Sequence, residues 1–432
     1  MNDIVDVMQG VSVLLTRGSD AARREAQRVA VERDGRAPAS RQDPEDQSPG
    51  RRWRSLALVM STALCIGVTL GLFPSLIALN VESRGFNASW NGLLAAMPAL
   101  AGILVVPFVP GAVARVGALP TFLLSATLSI ASVCLFPIFS DLGAWFAIRF
   151  AMGAGMGIQW VVSEMWINRL ATGPRRGMIL SIYVIVLSAG LSAGPLIMTF
   201  IGIQGYIPFL ATAGLLFLSC LPLPFAASAA PSDAVQARPL SLVASFVRKP
   251  SAMFAGLADG FVFQSLLAFL PLYFLRLGAT ETTALSFLTV FFAGSLILQV
   301  VAGYMLDRLT PATVLIVCCG LLIVSLMLVG EAMDVRIAAA VLLLVMGGAS
   351  GALYTAGLAG INDSFSAQEM PSGAAAFNIL WYIGGLSGPV AAGYAMQAWD
   401  PYGMAAIVAG ACALLAVANG LTGYRAKAGS PA

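Results

Sequence analysis

The chain has 432 residues, 58% hydrophobic and only 10% charged, with a mean hydropathy of +0.85 and a formal charge of +3. That balance excludes a water-soluble enzyme; apolar runs of about 20 residues or more are long enough to cross roughly 30 Å of hydrocarbon as helices. There is no histidine, which removes the imidazole proton relay and most transition-metal sites, and the six cysteines lie inside apolar runs without metal-ligand spacing.

Residues 1–53 differ from all that follows. Gly35 to Gly50 is rich in Pro, Ser, Asp and Arg, and no convincing signal peptide precedes it. The stretch reads either as a disordered cytoplasmic extension or as a regulatory arm at the membrane surface. Apolar periodicity then predicts an all-α membrane protein of twelve transmembrane helices in two pseudo-symmetric six-helix bundles. The first bundle occupies 54–226, with spans at about 55–79, 89–109, 118–139, 143–169, 177–202 and 205–226. A cytoplasmic linker covers 227–249. The second bundle occupies 250–423, with spans at about 251–275, 282–305, 311–330, 336–361, 371–397 and 401–423, and 424–432 is a cytoplasmic tail.

The division into halves comes from a repeated pattern. Met152, Gly153, Gly157, Asn168, Gly194 and Pro195 recur as Met346, Gly347, Gly351, Asn362, Gly388 and Pro389, always at one fixed interval and without a gap. Lysine and arginine set the orientation. Arg115, Arg169, Arg175, Arg176, Arg238, Arg248, Lys249 and Arg308 fall in loops on the side of the N-terminus, against Arg84, Arg276 and Arg336 on the other. Both termini are therefore expected in the cytoplasm. Trp53, Trp90 and Trp145, near span ends, are expected at the membrane interfaces.

Three motifs give these spans a family likeness. The turn Gly303-Tyr-Met-Leu-Asp307-Arg308 resembles the G-x-x-x-D-R signature of the major facilitator superfamily; its counterpart keeps Arg115 and Gly117 but has Ala114 where the superfamily usually has aspartate. Arg149, Phe150, Gly153 and Gly155 are similar to its R-F-x-x-G-x-G motif. The run Glu164-Met165-Trp166-Ile167-Asn168, with Arg176, Gly177 and Tyr183, resembles the E-S-W-L-N signature of a bacterial permease subgroup. Leu270-Pro271-Leu272-Tyr273 fits the same subgroup. The resemblance implies a secondary transporter of the bacterial inner membrane, usually monomeric. Its two bundles would rock about a midplane site lined by the first, fourth, seventh and tenth spans.

Few polar residues lie within the spans. On a helical wheel Met156 falls about 20° to one side of Arg149, with Trp160 and Glu164 about 20° and 60° to the other, so the four share a face. Arg149 reads either as a holder of an anionic substrate group or as a structural arginine bonding carbonyls of the first or second span. Glu164, roughly 22 Å further along at helical rise, reads as a gate partner of Arg115 or of the Arg175–Arg176 turn, or as a proton-carrying carboxylate. Asp307 and Arg308 join the candidate gate. Asp259 reads as a proton-coupling acid or as a hydrated helix-end acid. Gln159, Trp160, Phe263, Gln264, Tyr354 and Trp381 complete the candidate cavity with Arg149, and their aromatic character suits a largely apolar or weakly charged solute. Gly190, Gly194, Gly384 and Gly388 are spaced for close helix packing.

The expected function is a proton-coupled secondary transporter of a small organic solute, working within the lipid bilayer as a monomer, with export favoured over uptake. The other expectation is a non-cycling, transporter-like sensor or assembly factor acting through its N-terminal arm. No nucleophile–base pair, metal cluster or phosphate loop suggests an enzyme, and neither a cofactor nor nucleic acid is expected.

Overall fold

The computed structural model describes residues 49–171, 176–231, 242–362, 365–366 and 369–428. Expectations for residues 1–48, Arg175 and Arg238 lie outside the described residues. The first half consists of α1 (Pro49–Ser83), α2 (Ala88–Val105, prolonged through a 3-10 turn by Val109–Val116), α3 (Ala118–Leu135), α4 (Leu142–Leu170), α5 (Arg176–Ile201) and α6 (Ile207–Cys220, followed by a 3-10 turn). A short helix, Leu242–Arg248, leads into the second half. There α7 is Pro250–Arg276, α8 is Glu281–Ile297 continued by Gln299–Arg308, and α9 is Pro311–Val329; α10 is Arg336–Asn362, α11 Met370–Ala398 and α12 Gly403–Ala428.

Ten of these spans are long and apolar enough to cross a membrane. The exceptions, α4 and α11, are 29 residues each. Their length suffices, but α4 carries Arg149, Glu164 and Asn168, and α11 carries Asn378, Tyr382 and several glycines. The least apolar helices are thus the ones with polar work to do.

Local chemistry sets the helix ends. Asp141 caps α4 by accepting a hydrogen bond from the Ala144 amide at 2.8 Å. Thr310 caps α9 and Pro311 opens it, while Gly117 (φ 93°) turns the chain between α2 and α3. α2 breaks around Pro107 and Pro110; α8 breaks at the corresponding depth, at Leu298, with no proline. α1 begins earlier than the sequence pattern indicated, because Arg52 is drawn into it: its Nε donates to the Leu170 carbonyl at the end of α4, 3.1 Å away.

Packing repeats between the halves. In α5, Gly190 and Gly194 press against the α1 backbone, where an added Cβ would stand 2.6 Å from the Leu64 carbonyl oxygen and 2.5 Å from the Leu72 nitrogen. In α11, Gly384 and Gly388 press in the same way on Leu257 and Phe261 of α7. Gly153 of α4 rests on Pro98 of α2, and Gly347 of α10 rests on Phe291 of α8. Close approach is how helices gain contact when lipid supplies no hydrophobic drive between them.

Each half has its own aromatic core. Phe73, Phe136, Trp145 and Phe209 interlock in the first, with Phe136 and Trp145 ring centres 5.2 Å apart. Phe274, Phe287, Phe291 and Phe292 do so in the second. Trp145 is therefore a core residue and not the interface anchor its position suggested; its indole donates to the Phe139 carbonyl at 2.8 Å. Trp53 and Trp90 are exposed at helix ends.

Candidate functional site

Residues 48–432 form one compact unit, and the halves meet along a line of contacts. α2 packs on α11, with Gly92 against Pro389 and Gly393, and Gly102 against the Tyr382 ring. α5 packs on α8, where the Ser192 hydroxyl donates to the Thr289 carbonyl at 3.2 Å. The ends of α1 and α7 are tied by charge. Arg276 makes a paired contact with Glu82, Nε to Oε1 and Nη2 to Oε2 both at 3.1 Å, and its Nη1 reaches Asp400 at 2.7 Å. Two parallel N–H···O bonds form the strong geometry for a guanidinium and a carboxylate. α4 and α10, by contrast, share no packed interface.

Sequence reasoning missed this triad, having counted Arg276 only as a loop charge. A signal was present. Glu82 and Arg276 are 194 residues apart, the interval that relates Gly194 to Gly388. One duplicated helix end carries the acid and the other carries the base.

Between the halves lies a cavity of about 70 Å³, bounded by Thr69, Phe73 and Arg149 on the first half and by Gln264, Leu267 and Ala268 on the second. At that size it holds a few waters or one small head group. Met156 lines it beside Arg149, as the helical wheel required; Trp160 does not. Arg149 is 6% exposed, and its guanidinium carbon stands 5.1 Å from the centre of the Phe73 ring. Its Nη1 donates weakly to Met152 Sδ at 3.9 Å, and its Nε has no partner. Among the described residues it bonds no carbonyl of α1 or α2, so its link to α1 is the Phe73 ring alone.

Further along α4, towards the Arg248 end of the bundle, lies a second group of polar and aromatic side chains. Asp259 of α7 is 3% exposed and accepts a 2.7 Å hydrogen bond from the Trp381 indole of α11. Among the described residues it has no cationic partner. Phe263 lies against Trp381 and Phe292, with ring centres 6.4 and 6.3 Å away. The Tyr354 hydroxyl stands 3.5 Å from Asn378 Oδ1, and its ring abuts Phe377. Glu164 lies one helical turn beyond Trp160 on the same face of α4. It is close enough to act electrostatically on Tyr183 of its own half and on Tyr354 and Tyr382 of the other.

One expected placement is corrected here. Gln159 does not line the cavity: it is fully buried between α3 and α4, where its Nε2 donates to Ser129 Oγ at 3.0 Å. A polar partner on the neighbouring helix decided its direction. The expected gate is not engaged in this state. Among the described residues neither Glu164 nor Arg115, Asp307 or Arg308 makes an ion pair; Arg115, Asp307 and Arg308 are exposed, and Arg308 stacks on Tyr304 at 4.4 Å.

Two duplicated helical halves with polar side chains of both turned into a shared hollow define the class: a membrane transporter. Residues 57–288 and 276–429 match the sequence profile of the Major Facilitator Superfamily, and the chain belongs to that family. It is 24% identical over 356 residues to the uncharacterized MFS-type transporter YfkF of Bacillus subtilis strain 168, spanning 81% of this chain and 90% of the relative. It is 23% identical to the uncharacterized MFS-type transporter YcaD of Escherichia fergusonii, spanning 80% and 89%. In fold it resembles the nucleoside transporter NupG, with a TM-score of 0.70 at 12% identity over 85% of this chain and 98% of that one. It also resembles a bacterial homolog of the human lysosomal transporter Spinster in an inward-facing, unoccupied conformation, with a TM-score of 0.65 at 13% identity over 86% and 95%.

Proposed function

We propose that this protein is a proton-coupled secondary transporter that moves a small organic solute across the bacterial inner membrane by alternating access, as a monomer with both termini in the cytoplasm. Within the superfamily we place it with the permeases that carry an E-S-W-L-N-like run, here Glu164 to Asn168. The halves are tied at the Glu82 end, and in this reading the cleft between them opens to the cytoplasm. A cleft walled by Trp160, Tyr354, Trp381 and Tyr382 suits an amphipathic solute that enters from that side, and export is the direction this reading takes.

The observation that carries the coupling is Asp259: a carboxyl group buried at membrane depth, held by one indole N–H and, among the described residues, by no cation. Ionisable groups are rarely kept in such a place without function. Such a group can bind a proton when the cleft faces one compartment and release it when the cleft faces the other, while Glu164 on the opposite wall feels the same movement. The test is accumulation of candidate solutes in reconstituted vesicles with and without a pH gradient. Asp259→Asn should lower gradient-driven accumulation about tenfold or more, equivalent to at least about 1.4 kcal/mol of lost coupling, while solute exchange at equal pH continues. An Asp259→Asn protein that still concentrates solute against the proton gradient would end the assignment.

A further inference from the structure

The buried guanidinium of Arg149 poses a charge problem that the coupling mechanism leaves open. Burying an arginine within a membrane helix is costly, and such groups usually pair with an acid or with backbone carbonyls. Arg149 does neither among the described residues. The ring face of Phe73 and the Met152 thioether are weak compensation, and the Nε proton, fully buried, has no acceptor. The guanidinium borders the cavity between the halves, and the other polar groups there are Thr69 on its own half and Gln264 on the opposite one. Neither supplies negative charge. Asp259 and Glu164 lie further towards the Arg248 end and act on the tyrosines there.

From this geometry we infer that the transported solute is an organic anion bearing one carboxylate-like group, which docks on Arg149 and is capped from the second half by Gln264. A guanidinium presents its N–H donors in a planar fork that matches a carboxylate. One guanidinium offsets one negative charge, so a second anionic group in the same dry cavity would be left unpaired. The space, about 70 Å³, admits the acidic head; the apolar body then extends along Phe73, Met156 and Leu267. With donors contributed by both halves, a bound anion strengthens contact across the cleft, which is what a substrate must do to favour closure.

This inference rests on the cavity lying on the transport path, and its test reads binding, so that its failure leaves proton-driven transport standing. The purified full-length protein in detergent is heated with hexanoate or benzoate at millimolar concentration, and separately with the neutral amides of the same acids. The acids should raise the unfolding midpoint and the amides should not. Arg149→Gln should abolish the shift, and Arg149→Lys, which keeps the charge but loses the fork, should retain only part of it. Should Arg149→Gln fail to fold, a thiol placed in the cavity by Ala268→Cys keeps the question decidable: its alkylation should be slowed at least severalfold by the acids and left unchanged by the amides. Equal effects of acid and amide, no effect of either acid, or a shift that survives in Arg149→Gln would each overturn the assignment.

Discussion

Gly190 and Gly194 in the first half, and Gly384 and Gly388 in the second, do one job: each pair lets the fifth helix of its half lie directly on the first. At the positions that carry chemistry the halves diverge. The place of Arg149 is taken in the second half by Leu343, fully buried in the apolar core, and that of Glu164 by Leu358. Asp259 corresponds to Cys65, Gln264 to Leu70 and Trp381 to Leu187. The aromatic pairs Trp160 and Tyr354, and Tyr183 and Phe377, keep their character. Duplication has preserved what the fold needs twice, while the polar residues to which we assign the mechanism occur once. A rocking pair of bundles requires matched scaffolds, whereas a proton site or an anion site needs only one copy.

If packing is the shared part, equivalent glycines must fail together. Gly190→Val and Gly384→Val should each destabilise the protein by about 1–3 kcal/mol, the range for overfilled contacts, and by similar amounts in a thermal unfolding assay. Gly214, with open space where its Cβ would stand, is the control: Gly214→Ala should be neutral or slightly stabilising. Damage confined to one half would break the comparison.

A smaller effect is expected at the Arg248 end, where Glu369 accepts hydrogen bonds from Ser366 Oγ at 2.7 Å and from its backbone N–H at 3.2 Å, and pairs with Arg248 at 2.9 Å. These partners, Ser366 first and Arg248 after it, hold the carboxyl below its ordinary value of 4.5. A lowered acid stabilises the fold at pH above the ordinary value, and that contribution is lost as pH falls through the lowered one. Glu369→Gln should therefore lower the unfolding midpoint at pH 7 by about a degree or less, and the difference from wild type should vanish in acid. The contact joins the segment before α7 to the start of α11, so it affects the second half alone.

Much of this architecture was legible in the sequence, for reasons particular residues make plain. Span lengths followed from hydropathy; the helix ends are set locally by Asp141, Gly117 and Thr310, signals the sequence reading left unused. The interval between Gly194 and Gly388 exposed the duplication. The wheel placed Met156 beside Arg149 because the two share one helix. It could not say which neighbour a side chain meets: Gln159, about 80° around the wheel from Arg149, found Ser129 on α3. Depth along a helix can be counted from residues, whereas lateral partners depend on packing that no single span encodes. The Glu82–Arg276–Asp400 triad is the largest omission, and comparing the halves position by position would have brought its first two members together.

The central claim, that the halves part and close at their two ends in turn, is tested most directly where they are now tied. Glu82→Cys and Arg276→Cys together, bridged by a short bifunctional thiol reagent, should hold the Glu82 end shut. Transport in reconstituted vesicles should then fall to background and return when a cleavable bridge is cut, with the unbridged double variant still active. Undiminished transport in fully bridged protein would contradict alternating access through this cleft.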